Sequence, residues 1–285
     1  MRHSLRLSLS PYRNSGSILI IAIWILVFFS ILSVGLYSII SSQIRLAKSV
    51  EERFLCAHLA KAASIYAQTE RKKDKTAYDT LYELRQKQQR QLGLGKFIYT
   101  LVDEESKINI NNCSAEVIAR LPGLNLELAK SITNSSLRPF HLKEMITLVE
   151  GITEGIFKEC KDFITTYSEG RVNINTAPLE VLKILGLDER LANAIEDFRR
   201  GLDNQEVTED DGVFENTGEI ISKLVSFRGL SETQKATLSQ LINQGLITTE
   251  SKNFSLQIET QILDKSAMRY TIVMDKDKIR QWREE

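Results

Sequence analysis

Acidic side chains are densest in one stretch of the chain, and their chemistry is that of a calcium ligand set. Carboxylate oxygens gathered around a glycine can hold calcium. Here the glycine is Gly212, and the candidate ligands are Asp203, Glu209, Asp210, Asp211 and Glu215. Their spacing does not fit an EF-hand, and acidic loops are commonly just solvated. The sequence alone therefore leaves both a calcium loop and a solvated loop open.

Residue types that support catalysis are scattered. The three histidines lie far apart at His3, His58 and His141, and no glycine-rich phosphate loop occurs. The cysteines form an odd set without CxxC spacing, at Cys56, Cys113 and Cys160. Cys113 and Cys160 either pair as a disulfide outside the cytoplasm or stay buried and free. We expect a protein that is not an enzyme.

One segment near the N-terminus has the length and composition of a membrane span. Residues 17–40 contain no charged side chain, and 24 residues of helix cross a hydrocarbon core of about 30 Å. The preceding leader, residues 1–16, ends in Gly16 and contains three arginines and no acid. The sequence therefore predicts a cytoplasmic N-terminus, a single span and export of the remaining chain.

Net charge argues against nucleic acid as the main partner. The chain contains 37 basic and 37 acidic residues. Without the leader arginines its net charge is about −3, whereas nucleic-acid binding needs a basic face.

Beyond the apolar segment the helical pattern continues with amphipathic spacing. Apolar residues recur every three or four positions from Ile44 to Tyr66, with charged residues between them. We expect one long helix whose second half, Ile44–Tyr66, packs an apolar stripe on its own folded domain. The alternative is a membrane anchor followed by a separate helix.

Strand patterns stand at both ends of the exported part. Phe97 to Asp103 alternates between two faces after a polar, helical connector at residues 69–92. Residues 254–262 and 268–274 alternate likewise around a turn at Asp264–Ala267, which predicts an antiparallel hairpin. A helical region between these strands indicates an α+β fold with a helical domain inserted into a small antiparallel sheet.

The inserted region contains a repeat. Asn109-Ile110-Asn111 begins the first copy and Asn173-Ile174-Asn175 begins the second, each followed by an early glutamate and a glycine turn. The asparagines suit a helix start and the glycines end a short helix. Each copy is therefore predicted to be a helix–turn–helix hairpin.

These hairpins resemble helix-hairpin-helix DNA-binding modules, whose Gly-x-Gly turn presents backbone N–H groups to phosphate. Here Asn125 and Asp188 replace the second glycine, and an acid at that position repels phosphate. A packing scaffold is the main interpretation, and a membrane-anchored DNA-binding or DNA-uptake protein is the alternative.

The combined pattern resembles the K-type minor pseudopilins of the type II secretion system along nearly the whole chain. The features that carry the resemblance are the leader ending in Gly16, the apolar helix, the segment Gly170–Pro178 (GRVNINTAP), the following Glu180-Val181-Leu182 and the closing Gln281-Trp282-Arg283-Glu284. The resemblance implies a pilin-like α/β domain with a large helical insertion. The domain boundaries it suggests are 17–40, 41–111, 112–250 and 251–285, after a cleaved leader at 1–16.

The same resemblance implies a place and partners in the bacterial inner membrane. A prepilin peptidase would cut between Gly16 and Ser17, followed by methylation of the new amine. Ile21 stands where most pilin-like proteins have the glutamate that pairs with a neighbouring subunit's N-terminus, which favours the tip of a periplasmic pseudopilus. Expected partners are the I- and J-type minor subunits and the major pseudopilin below, and related pseudopilins bind calcium.

Overall fold

The computed structural model describes residues 15–262 and 268–285. Residues 1–14 of the predicted leader and the predicted turn at 264–267 lie outside the described residues. The chain divides into two compact units, one up to Leu55 and one from Cys56 to Glu285.

The helices follow one another in chain order, and all but the first belong to the second unit. They are α1 (Ser15–Lys73), α2 (Leu81–Arg85), α3 (Ala115–Ile118), α4 (Leu126–Thr133), α5 (Glu154–Cys160), α6 (Leu179–Leu185), α7 (Glu189–Arg199), α8 (Ile220–Arg228) and α9 (Glu232–Asn243), with 3₁₀ turns at Lys143–Leu148 and Thr217–Glu219.

Helix α1 is continuous, so the prediction of one long helix is confirmed. In the first unit its apolar side chains are exposed, from Ile18 to Ile40. Its most apolar window has a mean hydropathy of 2.8, and by length and composition it is long and apolar enough to cross a membrane.

The prediction that an apolar stripe of α1 packs on the folded domain from Ile44 onwards is wrong for the first part of that stripe. Ile44, Val50 and Phe54 are exposed, and the buried face begins only at Cys56. That face then continues through small residues, Ala60, Ala63 and Ala67, which allow the helix to lie close to the sheet. Upstream of Cys56, Ile44 and Val50 are 51% and 60% exposed, so the helical spacing there does not correspond to a buried face.

A five-stranded antiparallel sheet packs on this face. Its order is β1 (Gln88–Leu92), β2 (Gly95–Asp103), β7 (Asn253–Ile262), β8 (Met268–Asp275) and β9 (Ile279–Glu284). Alternate residues of β2 are buried, including Phe97, Tyr99 and Leu101 on the predicted face. The β7–β8 pair forms the expected antiparallel ladder.

Neither edge strand of the sheet was predicted from the sequence. β1 reads QQRQL and β9 reads IRQWRE, so neither has the apolar alternation of a half-buried strand. The connector at residues 69–92, expected to be helical throughout, contains the end of α1, the short α2 and β1. Neighbouring strands, rather than local propensity, determine these edges.

The helical insertion leaves the sheet after β2 and returns at β7, its direct neighbour. Asp103 at the end of β2 is the cross-strand partner of Phe254. The fold is therefore α+β, with a long N-terminal helix, a small antiparallel sheet and an inserted helical region.

Each repeat of the insertion is closed by a short parallel ribbon. In the first repeat β3 (Ile108–Asn109) pairs with β4 (Ile164–Thr165), and in the second β5 (Val172–Asn173) pairs with β6 (Ile247–Thr248). The helices surround one apolar core, and the sheet and α1 form another. The domain boundaries at 41, 112 and 251 stay predictions.

Candidate functional site

An asparagine clamp organises each repeat. In the first repeat Asn111 Nδ2 donates to the Phe140 carbonyl at 2.9 Å, and the Phe140 N–H donates back to Asn111 Oδ1 at 2.8 Å. In the second repeat Asn175 makes the same two bonds with Phe214, at 2.9 and 3.0 Å. The amide side chain thus pairs with the backbone of a residue 29 or 39 positions away, much as a neighbouring strand would, and the side chain of that phenylalanine is buried in the core.

An arginine caps the turn beside each clamp. Arg199 Nη1 donates to the carbonyls of Ile174 at 3.1 Å and Ala177 at 2.6 Å. In the first repeat Arg138 donates to the carbonyls of Asn111 and Cys113. Both arginines satisfy carbonyls that the short turns leave without a backbone partner.

The two repeats contain four hairpins of the same design, two in each repeat. Each has a glycine in the left-handed region, an apolar residue and a polar residue that caps the next helix. The glycines are Gly123, Gly151, Gly186 and Gly229. The caps are Asn125, Thr153, Asp188 and Ser231, whose side-chain oxygens accept the N–H three residues on at 2.9, 3.3, 2.9 and 3.2 Å. The sequence predicted the first and third of these hairpins, at Gly123 and Gly186.

The surroundings of the hairpins suit packing better than phosphate binding. The Glu159 carboxylate lies against the turn at Gly123, where an added β-carbon would be 2.8 Å from Oε2. Arg120 covers Gly186 and donates to the Ile184 carbonyl at 3.3 Å, which joins the two repeats. Each cap also consumes an N–H group that could otherwise face a phosphate.

The five predicted calcium ligands serve mainly as acceptors for their own loop. Asp210 Oδ2 accepts the N–H groups of Leu202 and Asp203 at 2.7 and 3.1 Å, and Asp211 Oδ2 accepts that of Val207 at 2.9 Å. The remaining members make separate contacts: Asp203 with the Gln205 N–H, Glu209 with the Tyr82 hydroxyl and Glu215 with Lys223. As placed, these carboxylates do not converge on one cation, and calcium binding stays a prediction.

A different acidic group does converge in the described part of the chain. Ligand atoms of Asp74, Asp79 and Glu83 lie within 4.8 Å of one another. The cation at this place is Arg71, whose guanidinium pairs with Asp74 at 3.0 Å and with Asp79. Arg71 also lies 4.8 Å over the Phe254 ring, so it ties α1 to the sheet.

Three consecutive acids, Asp103, Glu104 and Glu105, are buried where the insertion leaves the sheet. Asp103 Oδ2 accepts Thr176 Oγ1 at 2.5 Å and Ser251 Oγ at 2.6 Å. We call the three acids the carboxylate joint. It could not be predicted from the sequence, because Thr176 and Ser251 lie 73 and 148 residues from Asp103 along the chain.

Glu104 and Glu105 complete the joint with different partners. Glu104 binds Lys107 at 2.8 Å and accepts the Thr165 hydroxyl at 2.5 Å, whereas Glu105 accepts the Asn253 N–H and side-chain amide at 3.1 and 2.9 Å. Burial opposes ionisation of Glu104, but Lys107 and the hydroxyl donors hold the pKa of its carboxyl below the usual value. The joint therefore connects the sheet to both repeats.

The remaining sequence predictions concern scattered residues. Gly16 and Ser17 lie in the first turn of α1, and the Ile21 side chain is exposed on that helix. Cleavage between Gly16 and Ser17 stays a prediction. Cys113 and Cys160 are buried free thiols, and burial raises the pKa of each to about 11, so neither is a ready nucleophile.

Known proteins match both parts of this architecture. The family model of the helix-hairpin-helix motif matches residues 103–165, the first repeat. The human endonuclease/exonuclease/phosphatase family domain-containing protein 1 is 29% identical over 138 residues, which cover 36% of this chain and 24% of that protein. The chain thus spans about a quarter of the length of this curated relative.

A solved structure matches most of the chain. A chain of the GspK-GspI-GspJ complex from the type 2 secretion system of enterotoxigenic Escherichia coli superposes with a TM-score of 0.60. The match covers 84% of this chain and 99% of that chain, at 14% sequence identity. The fold is therefore pseudopilin-like, with a helix-hairpin-helix motif in its insertion.

Proposed function

We propose that this protein is a minor pseudopilin that helps to initiate a type II secretion pseudopilus and has no catalytic role. The observation that carries the proposal is the superposition on nearly all of a chain from a minor pseudopilin complex. The long apolar helix supports it as well, because one helix of this length and composition can anchor the chain in a membrane.

The K-type assignment and the tip position rest on further features of this chain. A carboxylate in the bilayer is costly unless it is paired, and a subunit at the tip has no neighbour above it to supply an amine. With Ile21 in place of the usual glutamate, this chain has no carboxylate to pair at that position. The bulky insertion between β2 and β7 would also be hard to fit within a packed shaft. I- and J-type subunits are the proposed partners, with the major pseudopilin below.

Processing and location belong to the same proposal. A prepilin peptidase in the bacterial inner membrane cuts between Gly16 and Ser17, and the bulk of the chain faces the periplasm. N-terminal sequencing of the membrane-extracted protein tests this step. A mature chain that still begins at Met1, or one cut beyond Ile40, would contradict it.

Co-expression tests the partners. The full chain with I- and J-type subunits should purify from membranes as one complex. Gly35 lies on α1 in open space, so a larger side chain fits within this chain and would disturb only a partner helix that packs closely there. Gly35→Leu should weaken the complex, and Val34→Leu, next to it on the same helix, is the matched control. A parent chain that purifies alone would overturn the proposal; equal recovery of both variants would move the contacts to the periplasmic part.

The second candidate function is DNA binding, which the helix-hairpin-helix match favours. The acids at the hairpins oppose it, above all Glu159 at Gly123 and the Asp188 cap. Titration of the detergent-solubilised chain with duplex DNA at low salt separates the two functions. Submicromolar binding that weakens steeply with salt would favour DNA, because phosphate contacts release counterions.

A further inference from the structure

The carboxylate joint fastens the helical insertion to the sheet through Asp103. One oxygen of this side chain, Oδ2, accepts Thr176 Oγ1 and Asn173 Nδ2 from the second repeat, at 2.5 and 3.1 Å. The same oxygen accepts Ser251 Oγ, at 2.6 Å, just before β7. The insertion's second repeat and the strand to which the chain returns are therefore held by one carboxylate.

Glu105 reinforces this attachment from the other side. Its backbone carbonyl accepts the Asn173 N–H at 2.8 Å, and its side chain holds Asn253 by two bonds. Its backbone N–H donates to Asp103 Oδ1 at 2.8 Å, which closes a tight turn, and a hydrogen bond between the two carboxyls contributes to raising the pKa of Glu105. Both side chains are almost fully buried.

The charges around the pair do not neutralise it. Arg71 is engaged by Asp79 and Asp74, Lys107 by Glu104, and Lys252 by Glu169 at the surface. Asp79 and Glu104 face the same cluster, and each is already paired with its own cation. The groups that touch Asp103 and Glu105 from the second repeat and from β7 are neutral hydroxyls and amides. Among residues 15–262 and 268–285, no cation pairs with Asp103 or Glu105, so two ionised carboxylates would be buried here without a neutralising charge.

We propose that Asp103 and Glu105 share one proton at neutral pH and act as a proton-dependent latch between the helical insertion and the sheet. With the proton in place, the pair has a single negative charge, which the surrounding donors stabilise. Loss of the proton puts two like charges side by side, and separation of the second repeat from β7 relieves their repulsion by admitting water.

The direction of the pH effect follows from the same contacts. Burial, followed by the charge of Asp103, raises the pKa of Glu105 to about 8, from an ordinary value of 4.5. Between these two values the folded state binds the proton more tightly than the unfolded chain does. Stability should therefore fall as pH rises through this window and level off above it.

Thermal unfolding of the full chain in detergent, followed by circular dichroism between pH 5 and 9, tests the latch. We expect the Tm of the parent to fall by at least about 5 °C across this range. Glu105→Gln keeps the shape and removes the titration, so its Tm should be nearly flat. Glu104→Gln is the matched control, and it should keep the fall because Glu104 is already ionised beside Lys107. A flat parent, or an equal fall in Glu105→Gln, would overturn the proposal.

Two readouts on the parent alone decide the question if a variant fails to fold. At pH 7 the infrared spectrum should contain the carbonyl stretch of a protonated carboxyl, which disappears as pH rises through about 8. Hydrogen exchange, corrected for the pH dependence of the chemical rate, should rise in residues 172–177 and 251–255 relative to α9. A spectrum without that stretch at pH 7, or exchange that rises equally in α9, would refute the latch.

Discussion

The two repeats of the insertion share one hydrogen-bond pattern but bury it to different depths. In the second repeat Asn175 and Arg199 are 3% and 4% exposed, whereas Asn111 and Arg138 are only partly buried. The helices of the second repeat are also longer, with 7 and 11 residues in α6 and α7 against 4 and 8 in α3 and α4. The second repeat supplies Asn173 and Thr176 to the joint.

The repeat whose sequence matches a known motif is not the repeat that holds the insertion on the sheet through Asp103. The helix-hairpin-helix model matches the first repeat, which has the Pro122-Gly123 turn. The second repeat lacks that proline, and its matching turn is Leu185-Gly186. Yet the second repeat holds the insertion on the sheet through Asp103. The repeat that the helix-hairpin-helix model matches is therefore the one with the shallower clamp.

The asparagine clamps should give the largest difference between the repeats. Asn175→Ala leaves the N–H and carbonyl of fully buried Phe214 unpaired, which should lower the free energy of unfolding by about 3 kcal/mol. Asn111→Ala should cost about half as much, because water can reach part of its site. Urea unfolding of the full chain in detergent measures both. Equal losses would contradict the difference in depth.

The capping arginines should rank next. Arg199→Met removes two carbonyl caps and the 3.2 Å pair with Glu206, and we expect a loss of about 2 kcal/mol. Arg138→Met should cost about 1 kcal/mol, since its site is partly solvated. Glu206→Gln is the control for the ion pair. If it destabilises as much as Arg199→Met, the pair rather than the carbonyl caps carries the effect.

Alanine at the hairpin glycines should distinguish the repeats more weakly. Gly186 has a φ of +112°, further from the left-handed helical value than Gly123 at +74°. Gly186→Ala must also displace Arg120. We expect it to cost about 2 kcal/mol and Gly123→Ala about 1 kcal/mol, measured by the same unfolding. The reverse order would show that displacing Glu159 outweighs backbone strain.

The helix caps should show the smallest contrast. Asn125→Ala and Asp188→Ala each remove one bond to a helix N-terminus and should cost about 1 kcal/mol. Asp188→Ala should be slightly worse, because Asp188 also accepts Gln234 Nε2 at 3.2 Å. Asn125→Asp and Asp188→Asn preserve capping and should stay near the parent. A large loss in either control would mean that charge at the turn matters more than the cap.

Features with local causes were predictable from the sequence. The Asn-Ile-Asn turns, the glycine hairpins and the alternation of β2, β7 and β8 each depend on residues a few positions apart. The polar edge strands β1 and β9 depend on pairing with neighbours, so composition alone concealed them. The carboxylate joint was equally hidden, since Asp103 meets Ser251 across 148 residues. The prediction of a buried stripe on α1 was wrong in its first part, because periodicity indicates an apolar face but not what covers that face.

The return of the insertion to a neighbouring strand has a consequence for how this chain can be shortened. Asp103 and Phe254 are direct cross-strand partners, so the ends of the insertion are about 5 Å apart. A two-residue turn would close that gap. Without residues 104–253, the strands β1, β2, β7, β8 and β9 would follow α1 in the chain as an up-and-down antiparallel meander. We therefore expect that the length of the helical insertion can change without altering the strand register of the sheet.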